Sequence, residues 1–126
     1  MSMNCELPKT ASTPLVIIDE SKGYMKFEGE SYGENVLEFY KVVTDWLSVY
    51  LKSDFESFTL DCALEYFNSS TSKLLYNMLV DMDSAAANGK NVVVNWYVDK
   101  DNDIIIESGE DFEEDLDNLS FNMIHS

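Results

Sequence analysis

The chain has 126 residues, 45% hydrophobic and 13% aromatic, enough apolar material to bury the core of one folded domain. Its formal net charge is −16, all eight basic residues are lysines, and arginine is absent. Such a surface has no basic face to replace counterions on phosphates. It therefore excludes nucleic-acid binding, disfavours an anionic membrane and calls for a basic protein partner.

The opening stretch "MSMNCELPKTAST" has no apolar run, so no secretory leader is expected. No window approaches the ~20 apolar residues of a membrane span, and no membrane insertion is expected. Cys5 and Cys62 give neither a disulfide framework nor a metal spacing, and Cys62 sits in an apolar run as an ordinary core thiol. A reducing cytoplasm is the expected location. With no repeat and no Pro/Gly-rich linker, residues 1–126 are read as a single domain.

"PLVIID" (14–19) predicts a short buried strand, and "GYMKFEG" (23–29) a second after a turn at Ser21 to Gly23. "GESYGEN" (29–35) reads as a loop. From Glu34 the period changes: Val36, Tyr40, Val43, Leu47, Tyr50 and Leu51 recur at three- and four-residue steps, an amphipathic helix of about five turns. Phe39, Val42, Trp46 and Val49 add a second stripe, to be covered by the core or by a partner. "SFTLDCALEYF" (57–67) alternates: Phe58, Leu60, Cys62 and Leu64 point one way, Thr59, Asp61, Ala63 and Glu65 the other, as in a strand.

Beyond Asn68, Leu75, Met78, Leu79, Met82 and Ala86 predict an amphipathic helix ending near "NGK" (88–90), with Gly89 at its C-terminal cap. "NVVVNWYV" (91–98) reads as a strand buried on both faces. "DKDND" then turns, "IIIE" returns as a strand, "GEDFEEDLDN" is a short acidic helix, and "LSFNMI" closes as a last strand. The expected fold is α/β, a mixed β-sheet with packed helices in the order β-β-α-β-α-β-β-α-β.

The acidic stretch contains a decoy. Asp99, Asp101, Asp103, Glu107 and Glu110 match loop positions 1, 3, 5, 9 and 12 of an EF-hand, but the sharp turn at position 6 needs glycine and Ile104 stands there. No metal is expected. The one histidine, His125, offers no base to a Ser or Cys nucleophile, and the five glycines form no phosphate or dinucleotide loop. No catalytic set and no cofactor are assigned.

The segment "YFNSSTSK" (66–73) lies at a strand-to-helix junction, the edge of an α/β sheet where partners dock. Two readings stand side by side. Asn68 or Ser69 caps the helix, a role worth ~1 kcal/mol that needs one residue where five polar ones occur in a row. Alternatively a hydroxyl here accepts a phosphate. That group would add roughly −1.5 to −2 charge and face the free N–H groups and positive dipole end of the helix, with Lys73 nearby.

The set "STP" (12–14), "GESYGEN", Phe39–Tyr40 with Trp46, "YFNSSTSK" and "D…IIIESGEDFEE" (103–114) resembles the SiaC-type regulatory phosphoproteins. These small acidic bacterial proteins are distantly like the STAS-domain anti-sigma-factor antagonists. The resemblance implies a STAS-like fold and a switch without catalysis. A cognate serine/threonine kinase phosphorylates the hydroxyl after the asparagine, a PP2C-like phosphatase removes it, and the unphosphorylated form activates a diguanylate cyclase or another effector, raising cyclic di-GMP. By position the acceptor is Ser69, where the better-known family members carry threonine, with Ser70 and Thr71 as alternatives. Asn68, Ser70 and Lys73 form its surroundings. Glu30, Tyr32 and Glu34 are candidates for the docking surface, while Gly29 and Gly33 permit a tight loop and Ser31 or Asn35 helps cap the first long helix. The rival reading is a small metal- or ligand-binding protein or enzyme using the acidic C-terminal third, with a pocket lined by Asp61, Glu65 and Tyr97.

Overall fold

A computed structural model describes residues 3–125, so the outer bounds of the expected 1–126 domain lie outside the described residues. Its elements are β1 (Asn4–Leu7), β2 (Leu15–Asp19), β3 (Tyr24–Ser31), α1 (Val36–Tyr50), β4 (Ser57–Phe67), α2 (Ser69–Ala87), β5 (Asn91–Val98), α3 (Asp103–Asp115) and β6 (Ser120–His125), with one 3-10 turn at Glu20–Lys22. Among the described residues these make a six-stranded mixed sheet and three α-helices.

The observed order, β-β-β-α-β-α-β-α-β, differs from the expected one at two places. β1 adds a strand at the start, where only four residues, "NCEL", pair with β2. "IIIE" is no strand: Ile104, Ile105 and Ile106 belong to α3, where Ile105, Gly109 and Phe112 turn inward at helical spacing and Ile104 is 66% exposed. The helix starts at Asp103, so three of the five EF-hand-like carboxylates, Asp103, Glu107 and Glu110, ride on α3 instead of lining a loop. β3 also runs on to Ser31, converting the first three residues of "GESYGEN" into strand.

The strands stand in chain order across the sheet: β1, β2 and β3 pair antiparallel, and β3, β4, β5 and β6 pair parallel. Parallel neighbours require a crossover, and crossovers are right-handed. Since each steps one strand in the same direction, α1, α2 and α3 all land on one face. That face carries Val16, Ile18, Met25, Phe27, Phe58, Leu60, Cys62, Val92, Val94 and Trp96, all buried.

Among the described residues the opposite face has no helix, which corrects the two-sided burial expected of β5. Val93 and Asn95 are half-buried there and Tyr97 is exposed. A polar ladder wets this face: Tyr24 Oη donates to Asp61 Oδ2 at 2.7 Å, Asn95 Nδ2 to Asp61 Oδ1 at 2.9 Å, and Asn122 Nδ2 to Asn95 Oδ1 at 3.1 Å. Of α1's second stripe, Phe39 and Trp46 pack against the core, whereas Val42 and Val49 remain exposed. Leu51 of the first stripe is half-buried beyond the last turn.

Candidate functional site

The site begins with a defect in β4. Gly29 pairs with Leu64, but Glu30 pairs with Tyr66, so β4 carries one extra residue, Glu65, at a β-bulge. The bulge resets the alternation. Phe67 turns inward, its ring 6.2 Å from Trp96, while Tyr66 comes out beside Tyr32, ring centroids 5.8 Å apart, with both tyrosines exposed. The Glu65 carbonyl accepts Asn102 Nδ2 at 2.9 Å.

Asn68 then ends the strand in extended conformation, its N–H donating to the Ser31 carbonyl at 3.2 Å. Its Oδ1 accepts the Thr71 N–H at 3.0 Å, so Asn68 is the N-cap of α2. Ser69 and Ser70 follow as exposed first-turn residues, and Lys73 is exposed one turn on with no ion pair among the described residues. Ser70 and Lys73 line a groove of about 730 Å³ between α1 and α2, whose apolar walls include Leu37, Leu74 and Met78.

Thr71 is different: it is 0% exposed, which removes it as an alternative acceptor in the folded protein. Its Oγ1 donates to the Ser31 carbonyl at 3.2 Å and lies 2.9 Å from Ser31 Oγ, which in turn lies 2.8 Å from Tyr40 Oη. Three hydroxyl hydrogens serve three bonds in one way only: Tyr40 donates to Ser31, Ser31 to Thr71, and Thr71 to the Ser31 carbonyl. Burial holds the Tyr40 phenol protonated far above its ordinary range. Ser31 thus anchors the first turn of α2 and takes no part in capping α1. Asn35 occupies the α1 cap position but makes no side-chain cap bond either.

The electrostatics of the three helix starts differ. Glu38 stands in the first turn of α1 and Asp103 in that of α3, each favourable beside the positive dipole end. The first turn of α2 has no acid, in a chain with 24 of them. Two exposed serines, Ser69 and Ser70, stand there instead.

The expected docking residues sit nearby along the chain. Glu30 is half-buried and pairs in register with Tyr66, Tyr32 contacts Tyr66 directly, and Glu34 is exposed at the loop tip. Sequence reasoning overlooked Tyr66 and the Ser31–Tyr40–Thr71 chain. The bulge that exposes Tyr66 leaves no mark in the alternation of "SFTLDCALEYF". For the rival pocket, Glu65 and Tyr97 do line a hollow of about 420 Å³ with Lys9, Asp99 and Asn102. Asp61 lies outside that lining and is engaged by Tyr24 and Asn95.

Residues 7–126 match the family model described as SiaC family regulatory phosphoprotein. An uncharacterized protein of Pseudomonas aeruginosa (strain UCBPP-PA14) is 33% identical over 109 residues, 86% of each chain. SiaC of Pseudomonas aeruginosa is similar in structure, with a TM-score of 0.90 and 29% identity over 98% of this chain and 99% of that one. A solved complex of the diguanylate cyclase SiaD with its activator SiaC, from the same organism, matches with a TM-score of 0.91 and 30% identity over 98% of this chain and 100% of that one. No described helix is long and apolar enough to cross a membrane. The match runs through the α2 junction and almost the whole chain, and the chain belongs to the SiaC family of regulatory phosphoproteins.

Proposed function

We propose that this chain, as one cytoplasmic domain, switches a diguanylate cyclase by reversible phosphorylation of Ser69. The observation that carries the reading is an exposed hydroxyl at a capped helix start whose first turn is free of carboxylates. A phosphate there meets free N–H groups and the dipole end, so the fold tolerates it and the partner reads it. An effector seated over this turn and the adjoining α1–α2 groove meets an added charge of roughly −1.5 to −2. Left unpaired in an interface, that charge costs several kcal/mol, enough to separate the two proteins. The activator role comes from the relative described as SiaC bound to SiaD. A cognate serine/threonine kinase supplies the phosphate and a PP2C-like phosphatase removes it. ATP and magnesium belong to the kinase.

The test is mass spectrometry after incubation with the cognate kinase and MgATP, followed by a cyclase binding assay. Wild type and Ser70→Ala gain one phosphate at Ser69, Ser69→Ala gains none, and phosphorylation weakens binding at least tenfold. Phosphate persisting on Ser69→Ala overturns the assignment.

A further inference from the structure

A second hollow, of about 480 Å³, lies between the 12–13 loop, the loop after β3 and the start of α1. Its lining includes the aromatic Tyr32 and Phe39 and the exposed acids Glu34 and Glu38, and no lysine. Its floor is Ser31 and Tyr40, whose hydroxyls already satisfy each other and Thr71. These two hydroxyls therefore demand no partner; Ser12, Thr13 and Asn35 add neutral polar groups to the lining, and the two carboxylates are its charged ones. The start of α1 brings a positive dipole end of about +0.5 charge, which two carboxylates outweigh. The hollow is thus anionic and aromatic-walled, in a chain of net charge −16 without arginine.

We propose that this hollow receives an arginine side chain of the effector, an inference that rests on the partner-switching reading above. A guanidinium fits the chemistry better than an ammonium. It is planar, stacks on a tyrosine face, and bonds carboxylates through two N–H groups at once. The hollow shares Ser31 with the first turn of α2, so the arginine anchor and the acceptor serine stand on one hydrogen-bonded support.

The test needs neither kinase nor cyclase, so its failure and that of the Ser69 reading are distinguishable. Amide ¹⁵N–¹H spectra of the full chain are recorded during titration with N-acetyl-arginine methylamide, its lysine counterpart and the neutral citrulline isostere. The arginine probe saturably moves the resonances of Ser12, Thr13 and residues 32–38, and citrulline does not. Glu34→Gln with Glu38→Gln, two exposed positions, weakens the arginine response about fivefold, as does Tyr32→Leu. Equal binding of lysine or citrulline, shifts spread along the acids of α3, or no saturable shift at all would each overturn the proposal.

Discussion

Helices α2 and α3 both leave a parallel strand through an asparagine whose side-chain oxygen accepts the N–H three residues on: Asn68 from Thr71 at 3.0 Å, Asn102 from Ile105 at 3.3 Å. One residue suffices for the cap in each case. After the cap the two diverge. α3 continues with Asp103 and an exposed Ile104, and lies down on the sheet through Gly109. α2 continues with two exposed serines and a threonine enclosed among hydroxyls. Capping thus accounts for Asn68, and the buried hydrogen-bond chain accounts for Thr71. Ser69 and Ser70 make no side-chain hydrogen bond among the described residues, which is why the proposed modification is placed there.

The strongest test of this division is at Thr71. Thr71→Val keeps the shape but orphans one buried hydroxyl hydrogen among Ser31 and Tyr40, a loss of about 2 kcal/mol. Urea denaturation should show the midpoint fall with its slope unchanged. Ser70→Ala, one residue away on the exposed side, should leave the midpoint within about 0.5 kcal/mol of wild type. Equal losses at the two positions would erase the distinction between the buried and exposed hydroxyls of this turn.

The corresponding anchor of α3 is steric. A Cβ on Gly109 would come 2.5 Å from Trp96 Nε1 and 2.8 Å from Met123 Sδ, against an indole that also donates to the Ile105 carbonyl at 3.0 Å. Helix propensity alone would reward Gly109→Ala by about 1 kcal/mol. Overpacking against an enclosed ring reverses the sign, and a net loss of about 1 kcal/mol is expected by the same denaturation assay. A gain in stability would show that α3 can lift off Trp96 at little cost.

These anchors also mark where the sequence was legible. α1 and β4 were read from strong periodicity, because one fully buried face imposes it: Val36, Tyr40, Val43 and Leu47 on the helix, Phe58, Leu60, Cys62 and Leu64 on the strand. "IIIE" misled because three β-branched residues favour strand locally, while the spacing of Ile105, Phe112 and Leu116 favours helix and tertiary burial decides. β5 looked two-sided because Val93 and Tyr97 are apolar. Only the topology, with every crossover stepping the same way, reveals that one face of the sheet stays bare. The α2 junction was visible as a run of polar residues. The division of labour within it depends on Ser31 and Tyr40, which arrive from 30 to 40 residues upstream and leave no local signature.

The smallest effect is the one that bears most directly on the proposed switch. An acid at a helix start stabilises by about 0.3–1 kcal/mol at low salt. Ser69→Asp should therefore gain that much, whereas Asp103→Asn, which strips α3 of its first-turn acid, should lose a similar amount. Both changes should shrink at 1 M salt, where the screening length falls to roughly 3 Å. The opposing influence is the net charge of −16, which penalises every further negative group by self-repulsion. If Ser69→Asp destabilises even at low salt, that general repulsion exceeds the pull of the α2 start. A phosphate on Ser69 would then strain the fold itself, and the switch would have to work through the shape of this chain and not only through a partner that reads its charge.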